Sequence, residues 1–226
     1  MANRKLIVTA DGSASIFDGA TGESFHSVNG AYTESMLVFI ENGLEFRKQQ
    51  EPSTQYRVLE IGFGTGLNAW LSLIKGEEWQ QLIDYTAIEA FPLEMDLVTK
   101  LNFIQNAENQ YNDQLFMALH TTIWGEAVPI SPYFTLTKLH QNISDYHNEE
   151  GRFDVVFFDA FSPNVQAELW TEEIFCSLFK AMKPGAVLVT YSARGIVKRA
   201  LRSAGFFVER LQGPPGKRHV VRALKP

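Results

Sequence analysis

Residues 56–74 limit the fold more than any other stretch. A short apolar run at 56–61 meets Gly62, Gly64 and Gly66 at once, and Leu67 to Ile74 then has helical spacing. A strand that turns through glycines straight into a helix opens a unit of parallel strands joined by crossover helices. The alternation continues. Runs at 82–89, 134–139, 153–158 and 186–191 read as strands, the first of these ending in Glu89 and the third followed by Asp159. Helices are expected at 92–101, at 169–182 with Lys183-Pro-Gly as its stop, and at 195–204 with Gly205 as its cap. The runs 206–211 and 219–224 flank Gly213-Pro-Pro-Gly and form a closing hairpin. The fold class is therefore α/β, a Rossmann-like doubly wound, mostly parallel sheet with a terminal antiparallel hairpin.

Residues 1–50 read as a small extension that covers the site, and 51–226 as the main domain. In the extension, Asp11-Gly-Ser, Asp18-Gly and Thr21-Gly22 mark turns between short strands. A helix is expected from Tyr32 to Gly43, with the glycine as its end, before a connector at Glu51-Pro-Ser-Thr. Residues 105–132 carry no clear pattern. No apolar run approaches the length of a membrane span, and the first residues are too short in apolar content for a signal-peptide core. A single cysteine, Cys176, excludes a disulfide framework and is expected as a buried small apolar residue on a helix. A cytoplasmic location is the expectation. His120, His140, His147 and His219 lack metal-ligand spacing, so no metal is expected.

In such a sheet, ligands bind at the carboxyl ends of the central strands. The loops after Ile61, Glu89, Leu139, Phe158 and Tyr191 would share that edge. The run Glu60-Ile-Gly-Phe-Gly-Thr-Gly66 lacks the glycine spacing of the dinucleotide fingerprint, and no Gly-Lys-Ser/Thr follows to make a P-loop. Gly62 and Gly64 allow a tight turn and a close backbone approach to a ligand. Glu60, just before the turn, would face a cationic or hydroxyl-rich group. Glu89, at the second strand end, can accept the two hydroxyls of an adenosine ribose. This combination resembles the nucleoside-binding half of class I S-adenosylmethionine (SAM) methyltransferases.

Three further segments look like one family, the methyltransferase domain of MnmC-type tRNA modification enzymes in its stand-alone, MnmD-like form. They are Leu59-Glu-Ile-Gly-Phe-Gly-Thr-Gly-Leu-Asn68, Phe158-Asp-Ala-Phe-Ser-Pro163 with Glu168-Leu-Trp-Thr171, and Tyr191-Ser-Ala with Gly213-Pro-Pro-Gly-Lys-Arg218. Phe25-His-Ser27 and Glu34-Ser-Met-Leu-Val-Phe-Ile40 also fit, so the likeness covers nearly the whole chain. The resemblance implies SAM-dependent methylation of the 5-aminomethyl nitrogen on the (2-thio)uridine at the tRNA wobble position. It also implies cofactor contacts from Glu60, Gly62, Gly64, Gly66, Asn68, Glu89 and Asn142. Relatives carry Gly-Asp where this chain has Gln141-Asn142, which removes a charge but leaves an amide acceptor. Two-domain relatives add an FAD oxidoreductase that prepares the amine. With the chain ending at Pro226, no flavin is expected here, and a separate protein would make the aminomethyl precursor.

Methyl transfer to an amine needs a neutral nitrogen with its lone pair aimed at the methyl carbon. Asp159 is the candidate catalytic group, either orienting the nitrogen or relaying its proton. Phe161 could stack on an extruded uracil or simply pack in the core. Tyr191 is a candidate pocket wall. His26 and Glu34 lie in the covering segment, and Trp170 is expected as a core or loop anchor.

Charge is uneven. Residues 194–226 hold nine Lys or Arg and one acid, Glu209, while the rest of the chain has 11 basic and 25 acidic residues. That basic end, Lys217 and Arg218 above all, is the expected surface for the tRNA anticodon stem-loop. Two other readings stay open: a small-molecule amine N-methyltransferase, and a non-catalytic RNA-binding module that kept the fold.

Overall fold

The computed structural model describes residues 4–103, 113–146 and 150–226. His147 and part of the unassigned 105–132 stretch lie outside them.

The central element is β8 (Phe153–Phe158), in which every residue is buried. A strand buried on both faces needs apolar side chains at successive positions, and Val155, Val156, Phe157 and Phe158 supply them. Their alternation builds two cores. Val155 and Phe157 join Val58, Tyr85, Val187 and Val189 on one face of the sheet. Val156 and Phe158 join Leu59, Ile61 and Leu188 on the other.

Parallel strands β4 (Gln55–Ile61), β5 (Leu82–Glu89) and β7 (Phe134–His140) extend the sheet to one side, and β9 (Met182–Thr190) continues it to the other. β6 (Ala127–Ser131) pairs antiparallel at one edge. β10 (Phe207–Gln212) and β11 (His219–Leu224) form the antiparallel hairpin at the other. The order across the eight strands is β10-β11-β9-β8-β4-β5-β7-β6. The strand order therefore reverses at β4/β8, where a doubly wound sheet opens its ligand crevice.

On one face, α3 (Leu67–Trp79) packs with a continuous helical run made of α1 (Ala31–Ser35), a π-helical stretch Met36–Glu45 and α2 (Phe46–Gln50). On the other lie α6 (Glu172–Ala181) and α7 (Gly195–Ser203). A separate three-stranded sheet, β1 (Arg4–Val8), β2 (Ala14–Asp18) and β3 (Glu23–Ser24), precedes the helical run. Ala14, Ile16, Val38, Phe39 and Leu44 from residues 1–50 sit in the same core as the main sheet.

Several expectations change. Gly43 does not end its helix. An added Cβ there would lie 2.9 Å from Val189 and 3.1 Å from Phe157, so the glycine lets the helix press onto β9 and β8. Lys183-Pro-Gly does not simply stop α6. Strand β9 already starts at Met182, and the chain absorbs the proline through a register shift between Phe153/Met182 and Val155/Val187, with Gly185 at φ +73°. α6 begins at Glu172, where the Thr171 side chain accepts the Ile174 amide, and Leu169 lies in a preceding 3-10 turn. The expected helix at 92–101 is one turn, α4 (Met95–Val98). The patternless stretch contains α5 (Asp113–Thr121) as well as β6. Cys176 is only partly buried, whereas Trp170 is buried and donates its indole N–H to the Phe161 carbonyl at 2.8 Å. Among the described residues no helix is long and apolar enough to cross a membrane.

Candidate active site

A cleft of about 860 Å³ opens at the carboxyl ends of β4, β5 and β8. Its floor is the glycine loop after β4. Gly62, at φ +92°, donates its amide to the Ile88 carbonyl at 2.9 Å. A Cβ on Gly62 would stand 2.5 Å from the Asp159 carbonyl oxygen, so the loop and the β8 terminus touch backbone to backbone. Gly64, at φ +51°, donates its amide to Glu89 Oε2 at 2.9 Å. The other Glu89 oxygen accepts the Phe91 amide at 2.7 Å. That carboxylate is therefore held still at the cleft wall, with further lone pairs open to a ligand.

Asp159 is a partly buried acid of the cleft. Burial pushes its pKa up to about 7, the nearby Glu34 charge adds to the rise, and the Asn68 amide and Lys217 ammonium oppose it. Asn68, two residues into α3, donates from Nδ2 to Asp159 Oδ2 and to Glu60 Oε1, each at 2.9 Å. One amide thus ties the end of β8 to the end of β4. Its own Oδ1 is buried with no hydrogen-bond partner among the described residues.

Residues 17–34 roof the cleft. His26 bridges Ser15 Oγ at 3.1 Å and Thr65 Oγ1 at 3.3 Å, and burial together with Lys217 holds its pKa down at about 4. Phe25 meets Phe161 edge-to-face with ring centroids 5.1 Å apart. Glu23 accepts both the amide and the hydroxyl of Ser162, at 3.2 and 2.5 Å. Lys217 reaches in from the β10–β11 loop to pair with Glu34. Tyr191 donates its hydroxyl to the Ala160 carbonyl at 2.9 Å.

These residues fit a sulfonium nucleoside. Positive-φ glycines leave bare backbone at the floor, the immobilised Glu89 suits a diol, and the exposed Phe91 ring with Ile143 offers flat apolar surface at the β5 side. The orphaned Asn68 oxygen can accept from a cationic or N–H-bearing ligand group.

The profile of a family described as "S-adenosyl-L-methionine-dependent methyltransferase" matches residues 105–226, more than half of the sequence. The chain belongs to that family. It is similar to the tRNA 5-methylaminomethyl-2-thiouridine biosynthesis bifunctional protein MnmC of Pseudoalteromonas atlantica, 32% identical over 217 residues covering 88% of this chain and 30% of that protein. The corresponding protein of Nitrosospira multiformis is 27% identical over 212 residues, covering 91% of this chain and 34% of its own length. The chain therefore spans about a third of the length of these curated relatives. Among solved structures, MnmC2 from Aquifex aeolicus aligns with a TM-score of 0.74 at 24% identity, covering 99% of this chain and 70% of that one. Spermidine synthase from Thermotoga maritima aligns at 0.60 and 18%, covering 100% and 74%. These two likenesses concern the fold.

In this methyltransferase the expected site residues fall into three groups. Gly62, Gly64, Asn68, Glu89, Asn142, Asp159, Phe161, Tyr191 and Lys217 all line the cleft. Glu60 and Gly66 do not. Strand alternation turns Glu60 toward α3, opposite to Ile61, so it is fully buried behind Asn68 and burial holds its pKa well above the usual carboxylate range. Gly66 adopts the left-handed turn that starts α3, and an added Cβ would meet His120 at 2.8 Å. Arg218 is the third case. The sequence groups it with Lys217 in one phosphate rim; Lys217 lines both the cleft and an outer depression, whereas Arg218 lines only that depression, with Arg210 and His219.

Sequence reasoning missed Phe91 and Glu23, and assigned no partner to Glu34. An exposed aromatic directly after a strand-end acid is a signal that could have pointed to Phe91. Nothing local marks Glu23, whose partner Ser162 is 139 residues away. Among the described residues no group of three or more His, Cys, Asp or Glu could hold a metal ion.

Proposed function

We propose that this chain transfers the methyl group of SAM to the 5-aminomethyl nitrogen of (2-thio)uridine at the tRNA wobble position, giving the 5-methylaminomethyl nucleoside. The observation that carries the reading is Asp159, whose backbone carbonyl abuts the glycine loop and whose carboxyl, held by Asn68, has its pKa raised to about 7. The named activity of the MnmC relatives supports the choice of tRNA.

Gly62, Gly64 and Glu89 would hold the nucleoside half of SAM, with Asn68 and Asn142 as further polar contacts. SAM, when bound, supplies an electrophilic methyl on a sulfonium. Asp159 receives an N–H of the acceptor amine, aims the nitrogen lone pair, and holds a proton as it leaves. A carboxyl whose pKa lies near neutrality is matched to that task, whereas an ordinary aspartate would be too weak a base. Asn68 fixes the carboxylate through its Nδ2 bond. Phe161 and Phe25 give an aromatic corner for an extruded base. Residues 1–50 act as a roof that excludes water from the amine. Arg218 and Arg210, outside the cleft, would meet the phosphates of the anticodon stem-loop. A separate activity supplies the aminomethyl group, and a cytoplasmic location goes with this reading.

The test is incubation with methyl-labelled SAM and tRNA bearing 5-aminomethyl-2-thiouridine, followed by digestion to nucleosides. Label in 5-methylaminomethyl-2-thiouridine is the expected result. Label on free amines but not on tRNA would favour a small-molecule methyltransferase, and no transfer to either would overturn the enzymatic reading.

A further inference from the structure

Glu34, Tyr191 and Lys217 come from three remote parts of the chain and meet beside Asp159 in the cleft. Glu34 is buried, and its carboxylate holds the Lys217 ammonium. The same ammonium lies over the Tyr191 ring, 4.1 Å from its centroid. Asp159 feels both charges, Glu34 repelling its ionised form and Lys217 favouring it. A primary ammonium on an alkyl stem therefore pairs with one carboxylate, lies over an aromatic face and shares the cleft with a second acid, Asp159. Charge-assisted bonds and a ring face are the chemistry that selects an alkylammonium from water. Without the Lys217 ammonium, Glu34 and Asp159 would leave two acidic groups facing one cleft, which a second cation or a proton on Asp159 would settle.

We propose that Lys217 is an internal stand-in for the substrate: the Glu34–Asp159–Tyr191 box is the subsite for the substrate's aminomethyl ammonium, and Lys217 leaves it when that amine enters. The inference rests on the reading that the acceptor is an aminomethyl group, and it adds a recognition residue, Glu34, and a competing one, Lys217. The amine arrives as a cation, is received between Glu34 and Asp159, and passes its proton to Asp159 before the nitrogen reacts. Lys217, displaced from a loop at the cleft mouth, is then free to face the incoming nucleic acid.

Calorimetric binding of 5-aminomethyluridine and of neutral 5-methyluridine, in the presence of S-adenosylhomocysteine, tests this. Both nucleosides lack phosphate, so any contact of Lys217 with the tRNA backbone drops out. The readout is the preference for amine over methyl. Glu34→Gln should lower that preference about ten-fold, the worth of one charge-assisted bond. Lys217→Met should raise it several-fold by removing the competitor. A merely structural ion pair predicts the same direction for both variants, because each breaks the same contact. Equal directions, an unchanged preference in Lys217→Met, or no preference in the wild-type protein would overturn the proposal. Should Glu34→Gln fail to fold, Lys217→Met decides alone. Transfer by the wild-type protein to tRNA bearing 5-aminomethyl-2-thiouridine is measured alongside. If that transfer is absent, the functional reading fails; if it is present without the opposed shifts, only the stand-in fails.

Discussion

The two walls of the cleft are built in different ways. The wall at β4 and β5 comes from one short stretch, residues 61–65 and Leu67, plus Glu89 to Phe91, and its contacts are largely backbone: the amides of Gly62, Gly64 and Phe91. The wall at β8 and β9 is made of side chains gathered from afar, with Glu34, Asn68, Asp159, Tyr191 and Lys217 spread over more than 180 residues. A backbone wall can be rebuilt by any chain with the same turn and so serves a shared ligand. A side-chain wall encodes one acceptor. On this comparison, damage to the first wall lowers cofactor affinity, and damage to the second stops transfer while cofactor still binds.

The largest effect expected is that of Asp159→Asn. Methyl transfer should fall at least about a hundred-fold, while affinity for S-adenosylhomocysteine by calorimetry stays within a few-fold. A large loss of affinity would merge the two walls into one. The same variant should gain stability at alkaline pH. Asp159 has its folded pKa raised from 3.8 to about 7. Between those values the native state keeps a proton that the unfolded chain has released, so stability falls as pH rises through that window and levels off above it. Asp159→Asn should therefore melt above the wild-type protein at pH 8, with the gap closing toward pH 4.

Gly62→Ala comes next, because it strikes the seam between the walls. Its Cβ would clash with the Asp159 carbonyl, and its φ is unfavourable for alanine. A loss of more than about 1 kcal/mol in denaturant unfolding is expected, with both cofactor binding and transfer impaired. An alanine variant that loses neither would show that the walls are not in contact.

A smaller effect concerns pH. For the wild-type protein kcat/KM should climb as pH passes about 7, when Asp159 ionises in the free enzyme. Glu34→Gln removes a like charge beside Asp159, so the climb should move to lower pH. An unmoved profile would separate Glu34 from Asp159.

Much of the first wall was legible in sequence, and the reason is local. Strand, glycines and helix follow one another within residues 55–79, so hydrophobic period and turn chemistry locate the loop without tertiary information. β5 and its terminal Glu89 are equally plain. Asp159 was legible because β8, apart from Asp154, is apolar throughout and ends just before it. The second wall was legible only as a set of candidates. Nothing near Glu34 in the chain announces Lys217, and nothing near Glu23 announces Ser162. Gly43 misled because a glycine in a helical pattern signals an end, yet here it serves close packing on Val189. Glu60 misled because its neighbour Ile61, one residue further along the alternating strand, is the one that lines the cleft.

The smallest effects belong outside both walls. Arg218→Ala should weaken tRNA binding and reduce its salt slope by about one, with cofactor affinity unchanged. Asn142→Asp should change SAM affinity only modestly, through one added charge, and no change at all would mean that this side chain does not touch the adenine.

The central claim is that the glycine loop at 62–66 and the Asp159 carboxylate serve one reaction from opposite walls of one cleft. A crystal structure with S-adenosylhomocysteine measures it directly. The account predicts the ribose at Glu89 and the sulfur over Gly62 and Gly64, turned toward Asp159. A ligand lying elsewhere on the sheet, or one bound in the cleft with its sulfur turned away from Asp159, would contradict it.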